Sequence, residues 1–255
     1  MASQSKLAEQ FRALHVAGNP VILFNIWDAG SAAAVEGTGA SALATGSAPV
    51  AMAQGFADGE NISFELALQN IERIIAAVDL PVTMDLEGGY GISPAEVATS
   101  VTRAMQTGIV GINFEDQIVG TTELYSTDDQ NKRVAAAREA ANANGVQGFL
   151  NARTDIFLKA KPDTHNEAML TDAIERAKSY EQAGADGFFA PGLTDEKLIA
   201  TLCEKVNLPV NIIALPHVPP NSKLKELGVS RISYGPVPYL QMIKALKGAA
   251  TSALQ

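Results

Sequence analysis

Asp85 and Glu87 stand two residues apart in the stretch MDLEGGYG (84–91), at the end of an apolar run and directly before Gly88, Gly89 and Gly91 around Tyr90. Two further stretches have the same form. GINFED (111–116) ends in Glu115 and Asp116, and FLNARTD (149–155) ends in Arg153 and Asp155. Alternation along a strand puts Asp85 and Glu87 on one face, and in a closed barrel one of the two faces is the interior. Glu115, on the neighbouring strand, lies alongside. Carboxylates converging on one mouth repel strongly unless a cation sits among them or some are protonated. Oxygen ligands of this kind suit Mg2+ or Mn2+, with positions left for water and substrate. Arg153 adds positive charge and a planar fork for carboxylate or phosphoryl oxygens. The glycines, Gly88 first, allow a ligand to approach the backbone closely.

Taken singly, a strand-end Asp or Glu is more often a helix cap or half of an ion pair, and Asp28 and Asp116 are assigned that structural role. Arg153 also has an ion pair with a barrel carboxylate as its structural reading. The weight lies on the set: carboxylates and an arginine on adjacent strands, all at the same end. Of the histidines, His15 ends an opening helix and His165 begins another, which reads as surface or capping. His217, in ALPHVPP after the seventh strand, is placed at the functional end and is a candidate acid or base, as are Tyr90 and Glu123. Cys203 falls late in the helix after strand six, toward the opposite end, and reads as packing.

The elements that position these residues alternate along the chain. An amphipathic helix with Leu7, Phe11 and Leu14 at helical spacing stops at Gly18. Strands are expected at 21–26, 42–45, 82–87, 111–116, 149–155, 187–191, 210–215 and 231–236. Helical segments such as 63–78, 94–107 and 166–184 lie between them, several opening on Ser or Pro and closing on Gly. An internal echo, TGAS, TGIVGI, AGADGF and LGVSRI, sets a helix-ending glycine just ahead of a strand each time. Such strands are buried on both faces, so they are apolar without clean alternation. The reading is an α/β fold: one (β/α)8 TIM-type barrel spanning residues 1–255, with an extra N-terminal helix. NIWDAGSAAAV after the first strand holds no glycine-rich phosphate fingerprint, which counts against a dinucleotide fold. The longest stretches without a clear element, 46–62 and 117–128, follow strand carboxyl ends, where barrel enzymes keep functional loops and lids.

Composition excludes several classes. At 47% hydrophobic and 18% charged, the 255-residue chain can bury a large core. Its net charge of −9 without a basic cluster argues against nucleic acid or an anionic membrane as partner. No apolar run reaches the length of a membrane span, and MASQSKLAEQFRAL has no basic flank leading into an apolar segment. With a single cysteine, a cytoplasmic location is expected.

MDLEGGYG, GINFEDQ and NARTDIF, in that order and at barrel spacing, resemble the isocitrate lyase/phosphoenolpyruvate mutase superfamily over nearly the whole chain. The family's first motif reads Asp-x-Asp-x-Gly-Tyr-Gly, whereas here the second acid is Glu87, a longer side chain. Its Ala-Arg-Thr-Asp motif is present as Ala152 to Asp155, and LATGSAPVAMAQGFADG resembles its second-strand loop. The resemblance implies Mg2+ held by Asp85, with Asp58, Glu87 and Glu115 acting mostly through water. It also implies Thr45 and Gly46 at the substrate carboxylate, Trp27 lining the pocket, and a small 2-oxo acid as substrate. When a C–C or C–P bond beside a carbonyl breaks, the pyruvate fragment develops enolate charge, which a dication and a fixed arginine stabilise more than the ground state. Family members are oligomers that exchange or pack their last helix, and PVPYLQMIKALKGAATSAL has the apolar spacing for a homo-oligomer, dimer or tetramer.

The sequence departs from the specialised members. The lyases' Lys-Lys-Cys-Gly-His lid loop is replaced by QIVGTTELYS, which does not match the mutases' Lys-Thr-Asn-Ser loop either. Ala190-Pro191 occupies the place of the mutase histidine. The expectation is therefore a Mg2+-dependent lyase performing C–C cleavage or decarboxylation through an enolate, with Arg153, Glu115 and His217 as its catalytic candidates. The alternatives are a C–P enzyme of phosphoenolpyruvate mutase or phosphonopyruvate hydrolase type, or a barrel that binds 2-oxo acids without catalysis.

Overall fold

A computed structural model describes residues 3–142 and 145–255. Its strands are β1 (Val21–Leu23), β2 (Leu43–Ala44), β3 (Val82–Asp85), β4 (Gly111–Glu115), β5 (Phe149–Arg153), β6 (Gly187–Phe189), β7 (Val210–Ile213) and β8 (Arg231–Ser233). Its helices are α1 (Gln4–Ala13), α2 (Ala29–Glu36), α3 (Ser47–Ala53), α4 (Phe64–Ala77), α5 (Pro94–Gln106), α6 (Thr127–Asn142), α7 (Glu167–Gln182), α8 (Glu196–Lys205), α9 (Asn221–Glu226) and α10 (Val237–Ala253). The eight strands pair in parallel in the order β1-β8-β7-β6-β5-β4-β3-β2. A single parallel bridge, Ile26↔Thr45, joins the two ends, with Ile26 N–H donating to Ala44 O at 2.9 Å. The sheet therefore closes on itself, as the (β/α)8 pattern predicts.

Local chemistry explains the helix boundaries. Ser93 caps α5 through a reciprocal box with Glu96, Pro94 sits at its first position, and Asp28 and Ser31 form the same box on α2. Asp28 is thus a cap, as assigned. The echoed glycines Gly39, Gly108, Gly184 and Gly228 all adopt positive φ, between 88° and 104°, which lets each helix end turn into the next strand. Helix α3 was not expected: SAPVAMA is a two-turn segment with no side-chain cap, too short for an apolar period to register.

Helix α1 closes the floor of the barrel. Phe11 is fully buried, 5.5 Å from Phe149 in an edge-on contact, and burying such a ring contributes about 1.5–3 kcal/mol. His15 stacks on Phe149 at 4.1 Å and its Nδ1 meets Phe11 O at 2.8 Å, so it belongs to the floor packing and not to the surface. Burial, aided by the charge of Arg231, pushes its pKa down to about 3. His165 is likewise half-buried, with Nε2 2.9 Å from Phe157 O. Half-buried Cys203 is a packing residue whose thiol burial raises to about 12. No helix among the described residues is long and apolar enough to cross a membrane.

Candidate active site

A cavity of about 190 Å³ lies at the carboxyl ends of the strands, with Asp58, Asp85, Arg153, Gly46, Ser47 and Asn113 among its lining residues. Asp85 ends β3. Its backbone N–H donates to Thr45 Oγ1 at 3.0 Å, and its Oδ2 accepts from Ser47 N–H at 3.1 Å. Its Oδ1 is buried with no hydrogen-bond partner among the described residues. A buried anionic oxygen left bare is costly unless a cation or water meets it. Asp58 reaches the cavity from the loop after α3, and burial together with the charge of Asp85 raises its pKa.

Arg153 ends β5 directly across from Glu115 at the end of β4. Its Nη1 lies 2.8 Å from Glu115 Oε2, while Nε and Nη2 donate to the two oxygens of Asp155 at 2.6 and 3.0 Å. Burial works against the guanidinium charge, yet Glu115 and Asp155 hold its pKa above the ordinary arginine value. Asp155 is fixed in turn: its N–H donates to Asp116 Oδ1 at 3.0 Å, and Asp116 Oδ2 accepts from Tyr180 Oη at 2.9 Å and Arg176 Nη1 at 3.1 Å. Asp116 is therefore structural, as assigned, and the chain of contacts gives Arg153 one position.

Glu87 departs from the expected ligand set. It does not line the cavity; its Oε2 accepts from Gly59 N–H at 2.9 Å and Glu60 N–H at 2.7 Å. Glu60 Oε1 reciprocates by accepting from Tyr90 N–H at 2.8 Å. The side chain is one methylene longer than aspartate, which carries its carboxylate across to the loop bearing Asp58. Glu60, Glu87 and Tyr90 have φ of 55°, 53° and 49°, so strained backbone gathers where loop and turn meet. Burial and the charge of Asp85 push Glu87 up to about 7.

The structure brings Gly46, Asp58, Asp85 and Arg153 together around the cavity and sets Thr45 and Glu115 directly behind Asp85 and Arg153. It leaves Trp27, Gly88 and His217 outside the lining. Trp27 packs edge-on against Tyr239 at 5.2 Å, and its carbonyl accepts from Asn70 Nδ2. Gly88 makes room for a neighbour: a Cβ there would lie 2.6 Å from Val119 Cγ2, and its carbonyl accepts from buried Arg133. His217 is exposed on a turn with φ of 73°.

Several residues here were not singled out from the sequence. Asn25 Oδ1 accepts from Tyr234 and Gly235 N–H, both at 2.8 Å, tying β1 to the turn after β8. Asn113 Oδ1 accepts from Asn151 Nδ2 at 2.9 Å and from Arg231 Nη2 at 3.0 Å, an arrangement that assigns its own Nδ2 to the cavity side as a donor. Arg231 is fully buried below, and burial lowers its pKa to about 9. The signal was a lone asparagine in otherwise apolar strand segments.

Among the described residues no three Asp, Glu, His or Cys side chains close into a metal cage. The bare Asp85 oxygen, with Asp58 on the same cavity, fits instead the oxygen chemistry of a hard cation that keeps several waters.

Comparison with known proteins follows the same line. Residues 11–254 match the family model described as phosphoenolpyruvate phosphomutase. The chain is 28% identical over 256 residues to the oxaloacetate decarboxylase of Pseudomonas savastanoi pv. phaseolicola, covering 96% of this chain and 83% of that protein. A crystal structure from Burkholderia cenocepacia, provisionally described as a phosphonomutase, superposes with a TM-score of 0.96 at 46% identity over 98% of this chain and all, 100%, of that one. Phosphonopyruvate hydrolase in complex with oxalate and Mg2+ shares the fold, with a TM-score of 0.84 at 18% identity over 98% of this chain and 87% of that one.

Proposed function

Because this chain belongs to the phosphoenolpyruvate phosphomutase family of lyases and mutases, we propose that it is a Mg2+-dependent enzyme that cleaves a carbon–carbon bond beside the carbonyl of a small 2-oxo acid through an enolate. The observation that carries this reading is the buried, unpartnered Oδ1 of Asp85 on a cavity shared with Arg153. Asp85 would hold the cation, with Asp58 acting through water and Glu115 contributing charge from behind. Glu87 is assigned to the loop instead. The chemistry such a cation supplies is Lewis acidity toward developing enolate charge.

The chain's own groups do the rest. Arg153, locked by Glu115 and Asp155, presents fixed positive charge without reorganising during reaction. Asn113 Nδ2 donates to a substrate oxygen, and Gly46, where a Cβ would lie 2.9 Å from Pro49 Cγ, lets the chain turn into α3 at the cavity wall. Ser47 N–H orients Asp85. His217, exposed and outside the lining, takes no role in this scheme. The oxaloacetate decarboxylase relative favours C–C over C–P cleavage. Exposed Leu240 and Leu246 on α10 support assembly into a homo-oligomer.

The test is a turnover screen with Mg2+ that follows product release from 2-oxo acids with a breakable C3–C4 bond and, in parallel, from phosphonopyruvate. C–C cleavage abolished by chelation is expected. Turnover of phosphonopyruvate alone would replace this reading with the C–P one.

A further inference from the structure

Arg231 is a fully buried cation to which the proposed chemistry gives no role. Its Nε and Nη1 have no hydrogen-bond partner among the described residues, and Nη2 donates to Asn113 Oδ1 at 3.0 Å. Below it the Phe11 ring lies 5.9 Å from the guanidinium carbon. The charge of Asp85 favours the guanidinium, but burial outweighs it. A buried charge so sparsely partnered costs stability, and an apolar side chain of similar volume would serve the core as well or better.

The contact to Asn113 has a consequence for the cavity. Asn113 Oδ1 takes two donors, Arg231 and Asn151 Nδ2 at 2.9 Å, which leaves Asn113 Nδ2 for the cavity. An amide such as Asn151 can turn either end to a neighbour, whereas a guanidinium has donors only and admits one orientation of Asn113. It is also charged, so its bond to Oδ1 polarises the amide and strengthens Nδ2 as a donor. Ser233 lines the cavity, and Arg231, two residues earlier on the same inward face of β8, lies about 7 Å nearer the floor. In the lining itself the charge of Arg153 is already matched by Glu115 and Asp155.

We propose that Arg231 is a positioning residue for ligand binding, which acts through Asn113. It holds that amide as a fixed donor to an anionic oxygen of the bound 2-oxo acid, and its charge strengthens the bond from beneath. This role rests on the 2-oxo acid reading of the cavity.

The experiment measures oxalate affinity in the full chain at saturating Mg2+, together with the melting temperature. Arg231→Met is expected to melt at or above the parent temperature, since Asn113 Oδ1 keeps its bond from Asn151. The same variant is expected to bind oxalate at least about tenfold more weakly, the loss of one charge-assisted bond. Arg231→Lys, which keeps the charge and a donor, should stay within about threefold of the parent. In an Asn113→Ala background, Arg231→Met should change affinity by less than about threefold, because the residue it acts through is gone. Parent-like binding by Arg231→Met overturns the proposal. Weaker binding together with a lowered melting temperature makes Arg231 structural and overturns it too, as does a full loss in the lysine variant or an undiminished effect without Asn113. If the parent itself fails to bind oxalate with Mg2+, the 2-oxo acid reading fails and takes this one with it.

Discussion

Replacing Glu87 with alanine isolates the latch that holds Asp58. Three bonds are lost: Gly59 N–H at 2.9 Å and Glu60 N–H at 2.7 Å, both to Oε2, hold the loop, and Tyr90 Oη donates to Oε1 at 3.3 Å. Hydrogen bonds to charged groups contribute about 1.5–3 kcal/mol each, so even the low end for the two loop amides makes opening of the loop easier by about 3 kcal/mol. At about 1.4 kcal/mol per factor of ten, the open population rises roughly a hundredfold. Global stability should fall by much less, because the same substitution removes a carboxylate that burial and Asp85 already push up to about 7. Positive φ at position 87 strains alanine as it strains glutamate, so backbone strain cancels in the comparison. The assay is amide hydrogen exchange: Gly59 and Glu60 should exchange about a hundred times faster while the amides of β3 and β4 keep their protection. Glu87→Gln, which retains an acceptor oxygen, should recover part of it. Unchanged exchange at Gly59 and Glu60 in the alanine variant would refute the latch.

His15 makes the barrel floor sensitive to acid. Its folded pKa of about 3 lies below the unfolded value of 6.5, so in that window the unfolded chain binds a proton that the fold does not. Stability is then lost as pH falls below about 6.5, by about 2 kcal/mol at pH 5. His15→Phe, keeping the stack on Phe149, should lose less melting temperature between pH 7 and pH 5 than the parent; an equal loss would contradict this. Glu87 acts with the opposite sign, since its folded value of about 7 exceeds 4.5, and its contribution falls as pH rises across that interval. The two windows overlap, so each needs its own variant and not the parent profile. Arg153→Lys keeps the charge but cannot bridge Asp155 and Glu115 together, and it should cost about 3 kcal/mol or more in a urea melt. An unchanged midpoint would mean the network is not coupled. Tyr180→Phe removes two bonds, its own to Asp116 at 2.9 Å and the one it accepts from Arg176 Nη1 at 3.1 Å, and should destabilise by about 1–3 kcal/mol with Asp116 still held by Arg176; a loss of ligand binding at full stability would show a direct role instead.

The barrel was legible because fully buried parallel strands leave short apolar runs, and helix ends that must reverse direction leave glycines; Gly39, Gly108, Gly184 and Gly228 all took the backbone conformation that their recurrence implied. What each strand-end acid does was less legible. Spacing puts Glu87 two residues from Asp85, but the extra methylene and a positive φ turn it to the loop, and neither is visible in a pattern of residue types. Thr45 and Glu115 were placed at the site yet stand one layer behind it, because their polar atoms are taken by Asp85 N–H and Arg153. Trp27 and His217 lie outside the cavity for a different reason: loop residues follow local packing more than strand register. His15 reads as surface because it lies just past the end of α1, and nothing in the pattern of residue types shows that its ring folds back onto Phe11 and Phe149. The interior asparagines passed unremarked in strand runs judged by their apolar neighbours, yet Asn113 connects the cavity directly to the Arg231 guanidinium beneath it.

The most direct test of the central claim is a calorimetric titration of oxalate, a planar mimic of the pyruvate enolate, into the parent and into Asp85→Asn, with and without Mg2+. The asparagine variant can still accept from Ser47 N–H, so its fold should persist. Saturable binding by the parent only when Mg2+ is present, and none by the variant under either condition, is the predicted result. Metal-independent binding by both proteins, or no binding by the parent, would contradict a cation-assisted enolate site at Asp85.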